Sequence, residues 1–435
     1  MSQADYNSIY IAQVDETGNQ TDTSNQIDEG TLRVQVVDQR NQTPIKNAQI
    51  EIADTGNPNQ TLEVINTDEN GFTESVTLSA PPLEFSMSPS DNQPYAEYNI
   101  KVSAASYEEE IVTGIQIFSG EQGNQNIRLV SQTEPEDVYN PISIGPHTLW
   151  GNYPPKIAEE EVKPVDVSGE IVLSRVVIPE YVVVHDGSPS DSTAKDYYIL
   201  YRDYIKNVAS CEIYSTWPQA TLEANILAIM SFTLNRVYTE WYRNKGYNFT
   251  ITSSTAFDHK WIYNKTTYDS ISAVVDRIFN QYLSRPNVSQ PILTQYCDGK
   301  RVTCPNWMSQ WGSKYLGDQN YSAIDILRNY YGASIYINTA ESISGIPASY
   351  PGYELTIGSS GDKVRQLQEQ LNRIAKNYPA IPTIAVDGIY GSKTADAVRT
   401  FQKVFNLPQT GTVDFSTWYK ISEIYVGVSR IAELT

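Results

Sequence analysis

The chain has 435 residues, enough for two to four domains, and its 19% charged and 40% hydrophobic residues are typical of a globular protein. No run of about 18 apolar residues occurs, so we expect no membrane span. The net charge is −20, and residues 1–175 account for all of it, because residues 176–435 hold 23 basic and 23 acidic residues. Such an acidic chain lacks the clustered Lys and Arg that nucleic-acid binding requires, so we expect no nucleic-acid partner.

The N-terminal part of the sequence predicts a tail followed by a small all-β unit. Residues 1–30 are polar without periodicity and are predicted to be a flexible acidic tail. Residues 31–130 contain short apolar–polar alternations such as LRVQVVD, with an Asn70–Gly71 turn between two of them. The pieces TPIKNAQIEI, TDENGF and YNIKVSAASYEE resemble the carboxypeptidase-regulatory family of β-sandwiches. That resemblance implies a β-sandwich fold and a unit that is usually not catalytic.

Residues 131–177 are rich in proline and acidic residues. This composition predicts an extended, exposed linker of the kind that proteases cut. We place the cut near Arg175–Ile178, where a polar stretch meets the strand-like sequence VVIPEYVVVH.

Two further units follow the linker. Residues 178–343 show a mixed α+β pattern, and the apolar run at 221–242 predicts a buried central helix. Residues 344–435 predict a small all-α bundle, because apolar side chains recur at helical spacing at Val364, Leu367, Leu371 and Ile374 and at Val398, Phe401 and Phe405. The predicted fold is therefore multidomain: an all-β sandwich, an α+β unit and a small all-α bundle.

The C-terminal unit carries a long and specific motif. LTIGSSGDKVRQLQEQLNRI and VDGIYGSKTADAVRTFQKVFNLPQTGTVD resemble the type 1 peptidoglycan-binding domain. The resemblance implies a cell-wall glycan–peptide ligand and makes Asp387, Tyr390 and Gln402 candidate binding residues. Most residues of such a motif determine the fold rather than contact the ligand.

The middle unit carries two signatures. YIKNVASCEIYSTWPQ and WMSQWGSKYLGDQNYSAIDILRNYYG resemble those of the stage II sporulation protein D family. The resemblance places Glu212 on the family's catalytic glutamate and implies a lytic transglycosylase. One carboxyl group suffices for that reaction, because the 6-hydroxyl of the substrate's own muramic acid is the nucleophile. As an alternative, Glu212 is an acid near a helix N-terminus, where the helix dipole favours it.

The same resemblance suggests substrate-binding residues. The candidates are Trp217, Ser309, Gln310, Trp311 and His259. Aromatic faces stack on sugar rings, but buried aromatic side chains mostly form the core, and for Trp311 we weigh the two equally. For His259 we favour a surface histidine over a substrate contact.

The cysteine and histidine content argues against a zinc site. The relatives usually have a histidine where this chain has Cys304. Cys297 and Cys304 form a disulfide, half of a metal site or two free thiols, of which we expect reduced, partly buried thiols. Only three histidines occur, far apart in the sequence, so we expect no metal and no other cofactor.

The order of the units resembles that of the clostridial spore cortex-lytic enzymes. This resemblance implies a zymogen with an N-terminal prosegment and a catalytic middle unit, activated at germination by subtilisin-like Csp proteases. The implied substrate is spore cortex peptidoglycan. Because the first residues contain no signal peptide, we expect synthesis in the mother cell and deposition in the outer cortex or coat region of the spore. Three alternatives stay open: an N-acetylmuramoyl-L-alanine amidase, a non-catalytic enhancer of another hydrolase and a structural coat protein.

Overall fold

The computed structural model describes residues 28–40, 42–132, 141–163, 176–340, 342–344 and 350–429. Of the tail predicted over residues 1–30, only Asp28–Gly30 are described, and they begin the first strand. Within the described ranges, no helix has both the length and the apolar character needed to cross a membrane.

The N-terminal unit is built from eight strands that form a two-layered structure. In chain order its elements are β1 (Asp28–Asp38), β2 (Gln49–Asp54), β3 (Thr61–Asn66), β4 (Val76–Ala80), α1 (Glu84–Met87), β5 (Ala96–Ser103), β6 (Glu110–Ile117), β7 (Gln122–Leu129) and β8 (Ile142–Ser143). One sheet has the order β3-β2-β5-β6-β8, and the other contains β7, β1 and β4. Alternate side chains of both sheets meet in one core, as Leu32, Val34 and Val36 of β1 show.

The middle unit surrounds one buried helix. Its elements are β9 (Val177–Ile178), β10 (Tyr181–His185), β11 (Asp196–Leu200), α2 (Tyr201–Glu212), α3 (Gln219–Tyr238), β12 (Ile251–Thr252), β13 (Thr267–Tyr268), α4 (Asp269–Ile278), β14 (Gln281–Ser284), β15 (Tyr296–Cys297), β16 (Met308–Ser309), α5 (Gln310–Asp318), α6 (Ala323–Tyr331), β17 (Tyr336–Thr339) and β18 (Ser342–Ile343), with a 3-10 turn at Arg243–Lys245. Helix α3 is buried on nearly all sides and packs against α2, α4, α5 and α6. The predicted buried central helix therefore exists, and its apolar surroundings explain its lack of a polar face.

A strand of the middle unit completes the N-terminal sheet. The order of that sheet is β13-β7-β1-β4, and β13 runs antiparallel to β7 with Thr267 opposite Asn124 and Tyr268 opposite Gly123. The two units thus share main-chain hydrogen bonding rather than side-chain contacts alone.

Over residues 350–429, which the structure describes, the C-terminal unit contains three helices, α7 (Asp362–Ala375), α8 (Ser392–Val404) and α9 (Phe415–Ser429). The predicted stripes form its core: all members on α7 and the first two on α8 are fully buried, and Phe405 is half-buried just after α8 ends. The turn before α8 and the close packing of α7 on α9 match a compact bundle.

Residues 141–163, here called the strap, run over the middle unit. They belong to the predicted linker and are extended, apart from a turn at residues 148–150, but they are not uniformly exposed. His147, Leu149 and Lys163 are buried against the middle unit. The expectation of an exposed linker is therefore wrong for this part, because long-range contacts bury side chains that the local composition marks as exposed. Residues 164–175, including Arg175, lie outside the described residues.

Candidate active site

Glu212 is the last residue of helix α2. The helix ends there because Ile213 adopts an extended conformation, and Pro218 immediately precedes the first residue of α3 as its N-cap. Glu212 is only 4% exposed. The alternative of an acid near a helix N-terminus is therefore wrong: the carboxylate lies at the C-terminal end, where the helix dipole disfavours negative charge.

The Glu212 carboxylate is held by the backbone of a neighbouring segment. Its Oε1 accepts a hydrogen bond of 2.7 Å from the Lys260 backbone N–H. Ile262, two residues after Lys260, is bound to Asn207, which precedes Glu212 by five residues on α2. The Asn207 amide donates to the Ile262 carbonyl at 2.8 Å, and its oxygen accepts from the Ile262 N–H at 3.2 Å. Five residues of helix and two of extended chain cover nearly equal lengths, so the segment runs alongside α2 and fixes the direction of Glu212.

A buried charge network anchors the start of this segment. Asp258 is fully buried and accepts hydrogen bonds from Arg236 Nε at 2.7 Å, the Tyr242 hydroxyl at 2.6 Å and the Thr252 N–H at 2.9 Å. Burial lowers the pKa of Arg236, but the charges of Asp258 and Glu159 outweigh it and raise the pKa above its ordinary value. Asp258 thereby fixes the chain two residues before the N–H that holds Glu212.

His259 lies behind the site and is fully buried. Its Nδ1 shares a hydrogen bond of 3.1 Å with the Tyr204 hydroxyl, and its ring packs on Phe232 and stacks with Tyr296. Burial and the nearby charges of Lys156 and Arg236 lower its pKa well below the ordinary value, so the ring is neutral. His259 is therefore not a surface histidine, and in the intact chain it is not accessible to a substrate.

The candidate tryptophans form a ring cluster. Trp217 is 3% exposed, and its ring centroid lies 5.1 Å from that of Trp311; Tyr214 packs edge-on against both. Trp217 Nε1 donates a 2.9 Å hydrogen bond to the carbonyl of Ser86, in α1 of the N-terminal unit. The N-terminal unit is therefore hydrogen-bonded to one of the two candidate tryptophans.

Ser309 and Gln310 have structural contacts. Ser309 caps helix α5, accepting from the Gly312 N–H at 2.9 Å. Gln310 is buried and donates through Nε2 to the Glu212 carbonyl at 2.8 Å. The pair thus supports Glu212 from its backbone side.

Cys297 and Cys304 form a disulfide. The expectation of reduced thiols is wrong: the loop that joins the paired strands β15 and β16 folds back, so that the Cα atoms of Cys297 in β15 and Cys304 in the loop lie 5.6 Å apart. Arg301 of this loop donates to the Gly151 carbonyl of the strap at 2.8 Å. The disulfide loop therefore contacts the strap and helps to hold it in place.

The strap crosses the site through Tyr153 and Lys156. Burial, followed by the acidic groups of Cys211 and Glu212, raises the pKa of Tyr153 to about 12. Burial lowers the pKa of Lys156, an effect that the Glu212 and Asp258 carboxylates partly offset. The Lys156 ammonium donates to the Asp258 carbonyl.

The acids nearest to Glu212 in sequence lie elsewhere. Glu223 pairs with Arg277 at 2.5 Å, and Asp203 lines a cavity where the three units meet. The described residues contain no group of three or more His, Cys, Asp or Glu side chains arranged to hold a metal ion. Glu212 is therefore a buried carboxyl group to which neither Glu223 nor Asp203 adds a second acid.

The candidate residues of the C-terminal unit have mostly structural contacts. Tyr390 and Gln402 are buried and bind the backbone of Gly411, at 2.9 and 2.8 Å. Asp387 is exposed, and its hydrogen bonds from the Ile389 N–H and the Gln368 amide lower its pKa. The sequence motif did not single out Ile357, which is 63% exposed, or reveal that Ile389 is 59% exposed.

Comparison with known proteins identifies the C-terminal unit. Residues 360–421 match the peptidoglycan binding domain family PG_binding_1. The solved N-terminal domain of SleB is 30% identical, over 18% of this chain and 99% of that one, with a TM-score of 0.16. GBS52, the minor pilin of Streptococcus agalactiae, is 12% identical over 26% of this chain and 49% of its own (TM-score 0.18). The Bacillus anthracis TIE protein is 17% identical over 24% of this chain and 17% of its own (TM-score 0.17).

A search of curated proteins finds no match to this chain. The chain spans nearly all of the SleB domain but half or less of the other two proteins. The C-terminal unit of the chain contains a peptidoglycan-binding domain.

Proposed function

We propose that this protein is the zymogen of a lytic transglycosylase that degrades spore cortex peptidoglycan during germination. The peptidoglycan-binding domain at residues 360–421 supports a cell-wall substrate. The order of units, which resembles that of the clostridial enzyme SleC, supports the cortex as the substrate and the spore as the location. The single observation that carries the reaction is the buried Glu212, oriented by the Lys260 N–H and by Gln310 at the end of α2.

The proposed reaction needs only this carboxyl group. Glu212, in its protonated form, gives its proton to the glycosidic oxygen between MurNAc and GlcNAc, and that bond breaks. The 6-hydroxyl oxygen of the muramic acid then bonds to the anomeric carbon, and the Glu212 carboxylate accepts the proton of that hydroxyl. The product is a 1,6-anhydro sugar, and no water is consumed. A glycosidase that uses water requires a second carboxylate, and neither Asp203 nor Glu223 lies beside Glu212.

The covered site supports latency of the intact chain. Tyr153 and Lys156 of the strap lie close enough to Glu212 to interact with its charge, while the Ser86 carbonyl of α1 accepts a hydrogen bond from Trp217. A glycan strand cannot reach a carboxyl group that is 4% exposed, so the N-terminal part must move before catalysis. Proteolysis between the strap and the middle unit is the proposed trigger, with subtilisin-like Csp proteases as the proposed partners.

The packing of the predicted cleavage region narrows the proposed cut. Val176 and Ile178 are buried, and Val177–Ile178 form strand β9, paired with β18. A protease needs an extended, accessible substrate, so the cut belongs on the N-terminal side of Val176. N-terminal sequencing of the activated protein tests this, and a first residue beyond Val176 would contradict it.

The activity test compares the activated protein with Glu212→Gln on purified cortex, with fragments identified by mass spectrometry. We expect anhydro-muramic products to fall by about 10²- to 10⁴-fold in the variant, because general acid–base catalysis contributes about that much. Glu223→Gln is the matched control, since it removes an equal charge from a partly exposed ion pair of the same unit. Free peptide stems would indicate an amidase instead, and an activated wild type without products would indicate an enhancer or a coat protein.

A further inference from the structure

Two ion pairs tie the strap to the middle unit. Glu159 receives two hydrogen bonds from Arg236, at 2.6 and 3.0 Å, and the Arg236 side chain is fully buried. Glu161 receives two from Arg285, at 2.6 and 2.7 Å. Both pairs have the two-pronged arginine–carboxylate geometry that gives strong, directional binding. Removing one partner of a buried pair is costly because the other charge stays behind, so the Glu159 pair opposes release of the strap.

Backbone contacts continue this binding along the strap. The Ile157 N–H donates to the Ala256 carbonyl at 2.7 Å, and the Glu161 carbonyl accepts from the Leu293 N–H at 2.8 Å. The Gln290 side chain both accepts from the Lys163 N–H, at 3.1 Å, and donates to the Lys163 carbonyl, at 3.0 Å. Such contacts are those by which proteins hold an extended peptide supplied by another chain.

The sheet shared by β13 and β7 provides a second attachment. Asp269, next to β13, accepts from Asn124 at 2.6 Å and from Gln122 at 3.1 Å. The buried Lys265 donates to Gln116 at 2.6 Å. These contacts join the sandwich to the middle unit at a place remote in sequence from the connection at residues 164–175. Cutting that connection breaks none of them.

We infer that a chain cut between residues 163 and 176 stays together as a two-part complex, with the strap still over Glu212. The strap-binding face of the middle unit then has residues 28–163 of the same chain as its partner. This inference rests on the proposed function for the existence of the cut, but the binding itself requires no catalysis. Uncovering Glu212 takes a second event, which is displacement of the N-terminal part or a further cut within the strap.

The test uses the full chain with a recognition sequence for a site-specific protease placed within residues 164–175. After complete cutting, the protein is examined by size exclusion and native mass spectrometry at about 100 nM, where fragments binding with a Kd of about 1 μM or weaker separate. We expect both fragments to elute together at the mass of the uncut chain. Separate elution would overturn the inference.

Charge variants identify the contacts responsible. In the cut protein, Glu159→Gln and Glu161→Gln should each release the N-terminal fragment about tenfold faster than wild type. Glu160→Gln, which changes the same charge at an exposed neighbouring position, should leave the rate unchanged. Equal release rates in all three variants would contradict the role of the strap. If Glu159→Gln fails to fold, the milder, partly exposed Glu161 pair still decides the question. The two proposals can fail separately. If the fragments of the cut protein co-elute, but the middle unit shows no activity after it has been separated from the N-terminal fragment, this inference stands and the proposed function is wrong.

Discussion

Glu212 occupies a position that stability alone would not select. It is buried, and it lies at the end of α2 where the helix dipole disfavours a carboxylate. Its compensation comes from one backbone N–H, that of Lys260, and from the Lys156 ammonium of the strap. Conflicts between local electrostatics and burial concentrate at functional sites. The loss of the strap would remove the Lys156 cation from the surroundings of the Glu212 carboxyl group.

Asp258 should be among the most sensitive residues of the middle unit. Asp258→Asn removes the charge that pairs with the fully buried Arg236 and weakens the hold on the segment that orients Glu212. We expect the free energy of unfolding to fall by about 3 kcal/mol, as for other broken buried pairs. Urea unfolding followed by tryptophan fluorescence measures this. Glu223→Gln, which breaks a more exposed pair, should cost less than about 1 kcal/mol, and equal effects of the two variants would contradict the argument.

His259 should make the stability of the protein depend on pH. Its pKa in the folded state lies well below the value of 6.5 for an exposed histidine, so the unfolded chain binds the proton more readily. Stability is therefore complete above about pH 6.5 and falls as the pH decreases below it, by up to about 1.4 kcal/mol per pH unit. In His259→Gln this contribution should disappear from the pH profile of urea unfolding. If the variant and the wild type show the same pH dependence of the free energy of unfolding between about pH 7 and pH 5, His259 is not a buried, neutral histidine.

The secondary elements show where sequence patterns are sufficient. The stripe from Val364 to Ile374 correctly predicts a helix face, because each residue repeats the same relation to one core. The strap and β13 could not be predicted in this way. Thr267–Tyr268 is too short to show a period, and the burial of His147 depends on a carbonyl at Ile213, 66 residues away. Among the site residues, Glu212 had a signature, whereas Lys260 contributes only its backbone, which no side-chain pattern reveals.

The disulfide loop is an element whose contribution can be measured. Replacing both Cys297 and Cys304 with serine frees a loop of sequence separation 7. Loop-closure entropy for a loop of this size predicts a loss of about 2.5 kcal/mol in the free energy of unfolding. In a strong reductant, the thermal and urea unfolding transitions of the wild type should match those of the double variant, which itself should unfold alike with and without reductant. A wild type that is unaffected by reductant would show that the loop is held by its other contacts.

At the scale of the whole molecule, helix α2 connects the C-terminal unit with Glu212. Its first turn carries Arg202, which pairs with Asp276 at 3.2 Å and with Glu423 of α9 in the C-terminal unit. Its last residue is Glu212. Twelve residues of helix span about 18 Å, so the peptidoglycan-binding unit is fixed at a set distance from the candidate catalytic carboxyl group. Under the proposed function, a glycan strand bound to the C-terminal unit would be presented to Glu212 in a defined geometry.

The charge distribution gives the last prediction. The whole excess of −20 lies in residues 1–175, and peptidoglycan with its free carboxylates is anionic, so the N-terminal part should repel the substrate. We expect the uncut chain and the cut two-part complex to bind cortex equally weakly at low salt, since both carry the full charge. The separated part from residue 176 onward, which has no net charge, should bind more tightly. At about 1 M salt, where charges are screened within about 3 Å, sedimentation with cortex should show the three forms converging. A difference that persists at high salt would assign the repulsion to steric blocking by the strap and α1 instead.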